Sequence, residues 1–406
     1  MNVSYFCQLM RIHRPTSEAV IQALGSIFAE KRYADKVIEK VLKQNPKWGA
    51  RDRRFIAETT YDIVRWYLLL KRITEAKGDD YWKLLAGWCI LNDVDLPNWT
   101  EFEGISASKV KDEERKAKAI RRVRESIPDW LDELGEQELG KLWEKELQSL
   151  NEEAQVVLRV NTLKTTNKEL HFALQDEEVE TYPLDDFPDA LVLDERQNVF
   201  GTQAFRDGLF EVQDAASQLI APFLRIEPGM RVVDACAGAG GKTLHLAALM
   251  KNKGRIIAMD VEQWKLDELQ KRGRRAGVSN MEIRFIESSK TIKRLENSAD
   301  RLLLDVPCSG LGVLRRNPDA KWKLSLDFIQ KVKDLQQHIL NDYCLMLKPG
   351  GMMVYSTCSI LSSENEKQVQ QFLKDRGEQF ELIEEKRSWP SDGFDGFYMA
   401  LLKRIK

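Results

Sequence analysis

Leu302-Leu303-Leu304-Asp305-Val306-Pro307-Cys308-Ser309-Gly310 is an apolar run that stops at an acid and turns through proline and cysteine into glycine. A short apolar run bounded by turn residues reads as a buried strand of a parallel sheet. A second stretch, Met353-Val354-Tyr355-Ser356-Thr357-Cys358-Ser359, repeats the design. In an open α/β sheet the carboxyl ends of the strands form the ligand crevice. The fold therefore carries both thiols to the rim of one pocket.

Outward from these two strands, apolar runs and amphipathic stretches alternate from Gly229 onward. Strands are expected over 231–235, 255–259, 283–285, 301–304 and 351–355, with helices over 244–250, 264–276 and 328–347. That alternation predicts an α/β, parallel, doubly wound, Rossmann-like domain over residues 211–406. Before it, 156–160 and 190–193 read as strands with a helix at 167–174 between them. They predict a small α+β subdomain over 150–210. Residues 1–145 carry apolar side chains at helical spacing, as in Val20, Leu24, Ile27 and Phe28, and predict an all-helical domain. Within it Trp48, Trp66, Trp82 and Trp88 are expected in the core, and 98–124 reads as a loop or an exposed helix.

The loop after the first Rossmann strand identifies a cofactor class. Val232-Val233-Asp234 ends a strand and runs through Ala235, Cys236, Ala237, Gly238, Ala239, Gly240, Gly241 and Lys242 into a helix. Glycines let the backbone turn tightly, and the helix amino terminus supplies free N–H groups. Asp260, at the end of the next strand, is placed to bond ribose hydroxyls. A dinucleotide loop needs Gly-x-Gly-x-x-Gly. A phosphate-binding P-loop needs a further glycine upstream, where Cys236 and Ala237 stand. S-adenosylmethionine (SAM), which has no pyrophosphate, suits the loop and its two acids.

Composition sets the bounds. The chain has 406 residues, 43% hydrophobic and 31% charged, with net charge −2. This is the profile of a globular protein with two or three domains. The amino-terminal stretch lacks the apolar core of a secretion signal, and nothing approaches a membrane span. Six cysteines without a Cys-x-x-Cys pair, and four histidines, give neither a disulfide framework nor a zinc site. A cytoplasmic location, no metal, no membrane and a monomeric state are expected. Net charge gives no global nucleic-acid footprint, so any RNA surface must be local. The basic clusters 51–54, 121–124 and 271–275 read as solvated helix faces. Arg315-Arg316 stands apart because it follows Cys308 in an expected active-site loop.

Two thiols beside a SAM loop suggest a particular chemistry. Cytosine C5 is a poor nucleophile. A thiolate that adds to C6 turns C5 into an enamine carbon able to attack the sulfonium methyl. The C5 proton then leaves and the thiol is eliminated. An acid near cytosine N3 and N4 would stabilise the developing charge, and Asp305 is placed for that. On this argument either Cys308 or Cys358 could be the nucleophile. Cys7, Cys89, Cys236 and Cys344 read as small buried hydrophobes, Cys236 within the cofactor loop.

At this point the motifs resemble a known family. Arg159–Lys164, Val212–Ser217, Asp234–Thr243, Asp305–Gly310, Arg316–Asp319, Tyr355–Ser359, Glu364–Glu366 and Asp395–Phe397 occur in an order similar to that of the RsmB/Nop/NSUN family of SAM-dependent RNA cytosine-C5 methyltransferases. The resemblance covers the chain from about Arg159 to its end. It implies that Cys358 attacks C6, that Cys308 assists product release, and that Asp305 contacts the target base. It further implies that residues 236–242 and Asp260 hold SAM, with Asp305 at the edge of that site and Lys242 reaching toward cofactor or target. The 150–210 unit resembles the family's RRM-like subdomain, and the helical domain resembles a NusB-type RNA-binding domain.

Two departures stand out. The family loop reads Ala-Ala-Pro-Gly-Gly where this chain has Ala237-Gly238-Ala239-Gly240-Gly241. The family's Gly-Asp after the third strand is replaced by Phe285-Ile286-Glu287-Ser288, leaving Glu287 to meet the adenine. The implied substrate is rRNA. A tRNA enzyme of the same chemistry and a non-catalytic RNA-binding assembly factor are the alternatives. Both cysteines, Asp305 and the loop are intact, which argues against the last. An amino-methylating enzyme would carry Pro-Pro-Tyr-like residues in place of Val306-Pro307-Cys308.

Overall fold

A computed structural model describes residues 11–406. Cys7 lies outside the described residues, as does most of the amino-terminal stretch read for a leader. The chain divides into two units. One runs up to Glu152 and takes in Leu314–Ser325; the other comprises Glu153–Val313 and Leu326–Lys406.

The first unit is helical, and its helices continue past residue 145 to Leu150. The apolar stripe Val20, Leu24 and Ile27 is fully buried against Ile56, Ile63, Leu70 and Leu85. Burying side chains of this size contributes roughly 1.5–3 kcal/mol each. The apolar pattern over residues 55–70 falls on two helices, Ala50–Arg65 and Tyr67–Ile73, broken at Trp66. Residues 98–124 hold the helices Ala107–Ala117 and Arg121–Arg124. Trp88 is buried, while Trp48, Trp66 and Trp82 pack against the core from its margin.

The second unit contains two sheets. The smaller is antiparallel, in order β2-β3-β1-β4, from β1 (Val157–Val160), β2 (Thr181–Leu184), β3 (Phe187–Leu193) and β4 (Phe210–Val212). The helix Asn167–Gln175 packs on it, capped by Thr166 and Glu169 in a reciprocal capping box.

The larger sheet has seven strands: β5 (Arg231–Asp234), β6 (Arg255–Asp260), β7 (Met281–Phe285), β8 (Ala299–Asp305), β9 (Leu347–Thr357), β10 (Phe380–Ser388) and β11 (Phe397–Arg404). Their order is β10-β11-β9-β8-β5-β6-β7. The sheet is not wholly parallel, as the alternation predicts. The run β9-β8-β5-β6-β7 is parallel, but β11 pairs antiparallel with β9 and β10 antiparallel with β11. A hairpin at the carboxyl end needs no crossover helix, so it adds strands of opposite direction. Leu302, Leu303 and Leu304 of β8 are fully buried, as expected for a strand covered on both faces. The register pairs Asp305 with Ser356, so both strands end level and their cysteines emerge side by side.

Arg315 is not placed as expected. The chain leaves the α/β unit after Val313 and contributes Leu314–Ser325 to the helical unit. There the Arg315 guanidinium is buried, donating to Ser149 O and to Glu152 at 2.9 Å. Arg65 in turn donates to Arg315 O at 2.8 Å. The position after Cys308 thus anchors a segment in a helical core, because a buried guanidinium demands acceptors that the helix end supplies.

Candidate active site

Cys308 and Cys358 lie 3.2 Å apart, Sγ to Sγ, and both are half-buried. This is hydrogen-bond distance and well beyond the ~2.05 Å of a disulfide bond. Gly312 N donates to Cys358 O at 2.9 Å, and Gly396 N to Gly312 O at 2.8 Å. A Cβ on Gly312 would come within 2.1 Å of Gly396 O, so only glycine allows the approach. This contact explains why Asp395-Gly396-Phe397 stands at the end of the motif series.

Asp305 receives Lys242 Nζ at 2.6 Å on one carboxylate oxygen and Ser356 Oγ at 3.0 Å on the other. Lys242 also lies 5.2 Å from the centre of the Phe397 ring. Burial lowers the pKa of this lysine, but the charge and hydrogen bond of Asp305, with Cys358 and Asp234 adding, outweigh it and raise the net value. The Cys308 pKa is driven well above the thiol range by the hydrogen bond with Cys358, by burial, and by the charges of Cys358 and Glu364.

The cofactor loop leaves β5 and enters the helix Gly241–Leu249 through Gly240. Gly240 is left-handed (φ 92°), and a Cβ there would meet Leu269 Cδ1 at 2.0 Å. Gly238 is left-handed as well (φ 53°) and open, with no atom near where a Cβ would stand. Asp260 accepts from Gly238 N and Glu262 N, each at 2.9 Å, which fixes its carboxylate at the end of β6. Burial and the charges of Asp234, Asp305 and Asp260 together push the Cys236 thiol well up. Asp260 and Asp305 thus end their strands on either side of this loop, while Asp234 lies beneath it. Ala237 is buried, and Glu287 is exposed two residues past β7.

Asp234 does not face a ligand. It is 1% exposed and accepts from Thr243 Oγ1 at 2.6 Å, so it braces the loop from beneath. Burial raises its pKa to about 7, from about 3.9 in an unfolded chain. The fold therefore favours the protonated acid. That stabilisation is complete below the unfolded value and is lost as pH rises toward 7. Asp234→Asn should remove this loss. Between about pH 4 and pH 7 the urea midpoint of the wild type should fall relative to that of the variant; taking the difference cancels groups of opposite slope such as His245, whose burial lowers its pKa to about 4. Parallel pH profiles would contradict the assignment.

Two arginines hold the loop from behind. Arg159 of β1 donates to Gly241 O and to Gln213 Oε1, and Arg272 donates to Ala239 O at 2.7 Å. Glu211 of β4 pairs with both Arg272 and Arg275. Asn161 bridges Gly208 O and Ala276 O at 2.7 and 2.8 Å. The Arg159–Lys164 motif and Gln213 thus tie the small sheet to the cofactor loop. Sequence reading noted these residues without a role; charged side chains inside short apolar strands were the available signal. Part of the basic cluster 271–275 proves to be internal wiring rather than a solvated face.

The profile of the family described as 16S rRNA methyltransferase RsmB/F matches residues 221–403. That of the RsmF/B-like ferredoxin-like domain matches residues 127–200. A probable ribosomal RNA small subunit methyltransferase B of Synechocystis is 32% identical over 92% of this chain and 95% of its own. The ribosomal RNA small subunit methyltransferase B of Vibrio cholerae is 33% identical over 68% of this chain and 65% of its own. The solved structure of PH0851 superposes with a TM-score of 0.81 at 27% identity, covering 97% of this chain and all of that one. With the paired thiols, the SAM-type loop and the ferredoxin-like sheet in one chain, and near-full-length similarity to the Synechocystis relative, the protein belongs to the RsmB/F family of SAM-dependent RNA methyltransferases.

Proposed function

We propose that the protein methylates C5 of a cytosine in small-subunit rRNA through a covalent Cys358–C6 intermediate. The observation that carries this reading is the 3.2 Å pair of thiols beside the Lys242–Asp305 ion pair. An amino-methylating site has no use for a thiol, whereas C5 chemistry needs a nucleophile that can later leave.

SAM, when bound, supplies an electrophilic methyl group. Residues 236–242 and Asp260 would hold it, and Glu287 would meet its adenine. Cys358, as thiolate, forms the C6–S bond and turns C5 into an enamine carbon. Asp305 accepts from the exocyclic N4–H, and the Lys242 ammonium faces the charge that develops along the base edge. After C5 is methylated its proton passes to water, the C5=C6 bond reforms and the C6–S bond breaks. The Cys308 thiol donates a hydrogen bond to the departing Cys358 thiolate, which is how it would assist release. If the target base is paired, it must be flipped out for C6 to be reached.

The small sheet and the helical domain would present RNA, the latter as a NusB-type domain over about residues 1–145. The protein would act as a monomer in the cytoplasm, without a metal. Among the described residues no helix is long and apolar enough to cross a membrane. The test is nucleoside analysis of unmodified 16S rRNA, and separately of tRNA, after incubation with the protein and SAM. 5-Methylcytidine in the rRNA alone is the expected product. 5-Methylcytidine in tRNA alone would move the substrate, and N4-methylcytidine would end the C5 reading.

A further inference from the structure

One buried carboxylate ties together the residues that follow the two cysteines. Glu364 closes the turn Ser362–Glu364 after β9 and is fully buried. One of its oxygens accepts from Ser309 N at 2.8 Å and from Gln336 Nε2 at 3.0 Å. The other accepts from the hydroxyls of Ser309 and Ser359, each at 2.5 Å. Gln336 also donates to Pro307 O at 2.9 Å, so the loop is held on both sides of Cys308. Asn365 holds the other loop, donating to Ser359 O at 2.9 Å and accepting from Thr357 Oγ1 at 2.5 Å. Taking a carboxylate out of water is costly, and here four buried donors compensate it.

We propose that Glu364 is the positioning residue of the thiol pair: by joining Ser309 to Ser359 it sets the separation of Cys308 and Cys358, and its charge makes the two sites electrically unlike. This inference rests on the two-thiol reading above and adds to it the group that distinguishes the thiols. Cys308 faces Cys358, Glu364 and Tyr355. Cys358 faces the Lys242 ammonium. A negative charge beside Cys308 favours its neutral thiol. In the pair, Cys308 then donates and Cys358 accepts.

Glu364→Gln separates charge from position. Its carbonyl can still accept from Ser309 N and Gln336, while its amide donates to the two hydroxyls, which reverse. Glu364→Ala removes both functions. The measurement is iodoacetamide alkylation of the RNA-free full-length protein near neutral pH, resolved by peptide mass spectrometry into Cys308 and Cys358. In wild type Cys358 should react faster. In Glu364→Gln, with its melting temperature kept, the Cys358-to-Cys308 rate ratio should fall about tenfold, the equivalent of one pKa unit. In Glu364→Ala the ratio should also fall, and RNA methylation should drop further than in the glutamine variant. An unchanged ratio in Glu364→Gln would overturn the sorting role. Equal methylation by the two variants would overturn the positioning role. The alkylation ratio is read without RNA, so it stands or falls apart from the C5 reading, which is judged by the nucleoside product.

Discussion

Cys308→Ala should accumulate a protein–RNA adduct that survives denaturing electrophoresis, and Cys358→Ala should form none. The two thiols are within hydrogen-bond reach, so removing one alters the electrostatics of the other. Without Cys308, the thiolate still adds to C6 and the methyl still transfers. The departing sulfur, however, loses its hydrogen-bond donor, and elimination becomes the slow step. Loss of a donor aimed at a developing anion typically costs about 10²–10³ in rate. That is enough to trap the intermediate on the time scale of a gel. Without Cys358 the C6–S bond cannot form, and methyl transfer should fall below detection. The check is gel mobility of each variant with unmodified rRNA and SAM. Adduct in Cys358→Ala would exchange the two roles. Absence of adduct in every variant, together with undiminished 5-methylcytidine from wild type, would remove the covalent step.

Much of this arrangement is legible in the sequence, and the reason is local. Leu302–Leu304 and Met353–Tyr355 are continuous apolar runs, so their burial and their strand ends follow from the residues themselves. The glycine loop with Asp260 is equally local, because φ above zero at Gly238 and Gly240 restricts what can stand there. What is not legible depends on partners distant in the chain. β2 contains Pro183 and exposes half its residues, so it carries no clear strand pattern. Most of β10 is exposed, and its pairing with β11 shows only in three dimensions. Arg315 reads as a surface charge near the active site, yet its acceptors are Ser149 and Glu152, more than 160 positions away. Glu364 likewise stands in the sequence only as a member of the Glu364–Glu366 motif. Only the convergence of Ser309, Ser359 and Gln336 makes it a buried clamp.

Asp305→Asn and Lys242→Met should each abolish most of the activity, and the double variant should be little worse than either. The pair is mostly shielded, with side-chain exposures of 14% for Lys242 and 25% for Asp305. Breaking a shielded pair leaves a charge uncompensated, which is why single removal costs more than the pair is worth. In the C5 mechanism proposed above the two would act as one unit: the carboxylate would receive the base edge, and the ammonium would offset the charge that attack at C6 creates. A loss of about 10²–10³ in kcat is expected for each single variant, with KM for RNA changed far less. Residues that share one function give strongly non-additive losses, so the double-variant cycle is the informative measurement. Ser356, whose hydroxyl donates to the other oxygen of Asp305, supplies the control. Ser356→Ala keeps the ion pair and should lose only about tenfold, the low end for one hydrogen bond to a charged acceptor (~1.5 kcal/mol). Additive losses in the Lys242→Met, Asp305→Asn double variant would mean that the two side chains serve separate steps, with Lys242 directed to the cofactor rather than to the base. In that event the single lysine variant should weaken SAM binding measured without RNA, whereas a target-side lysine should leave that affinity unchanged.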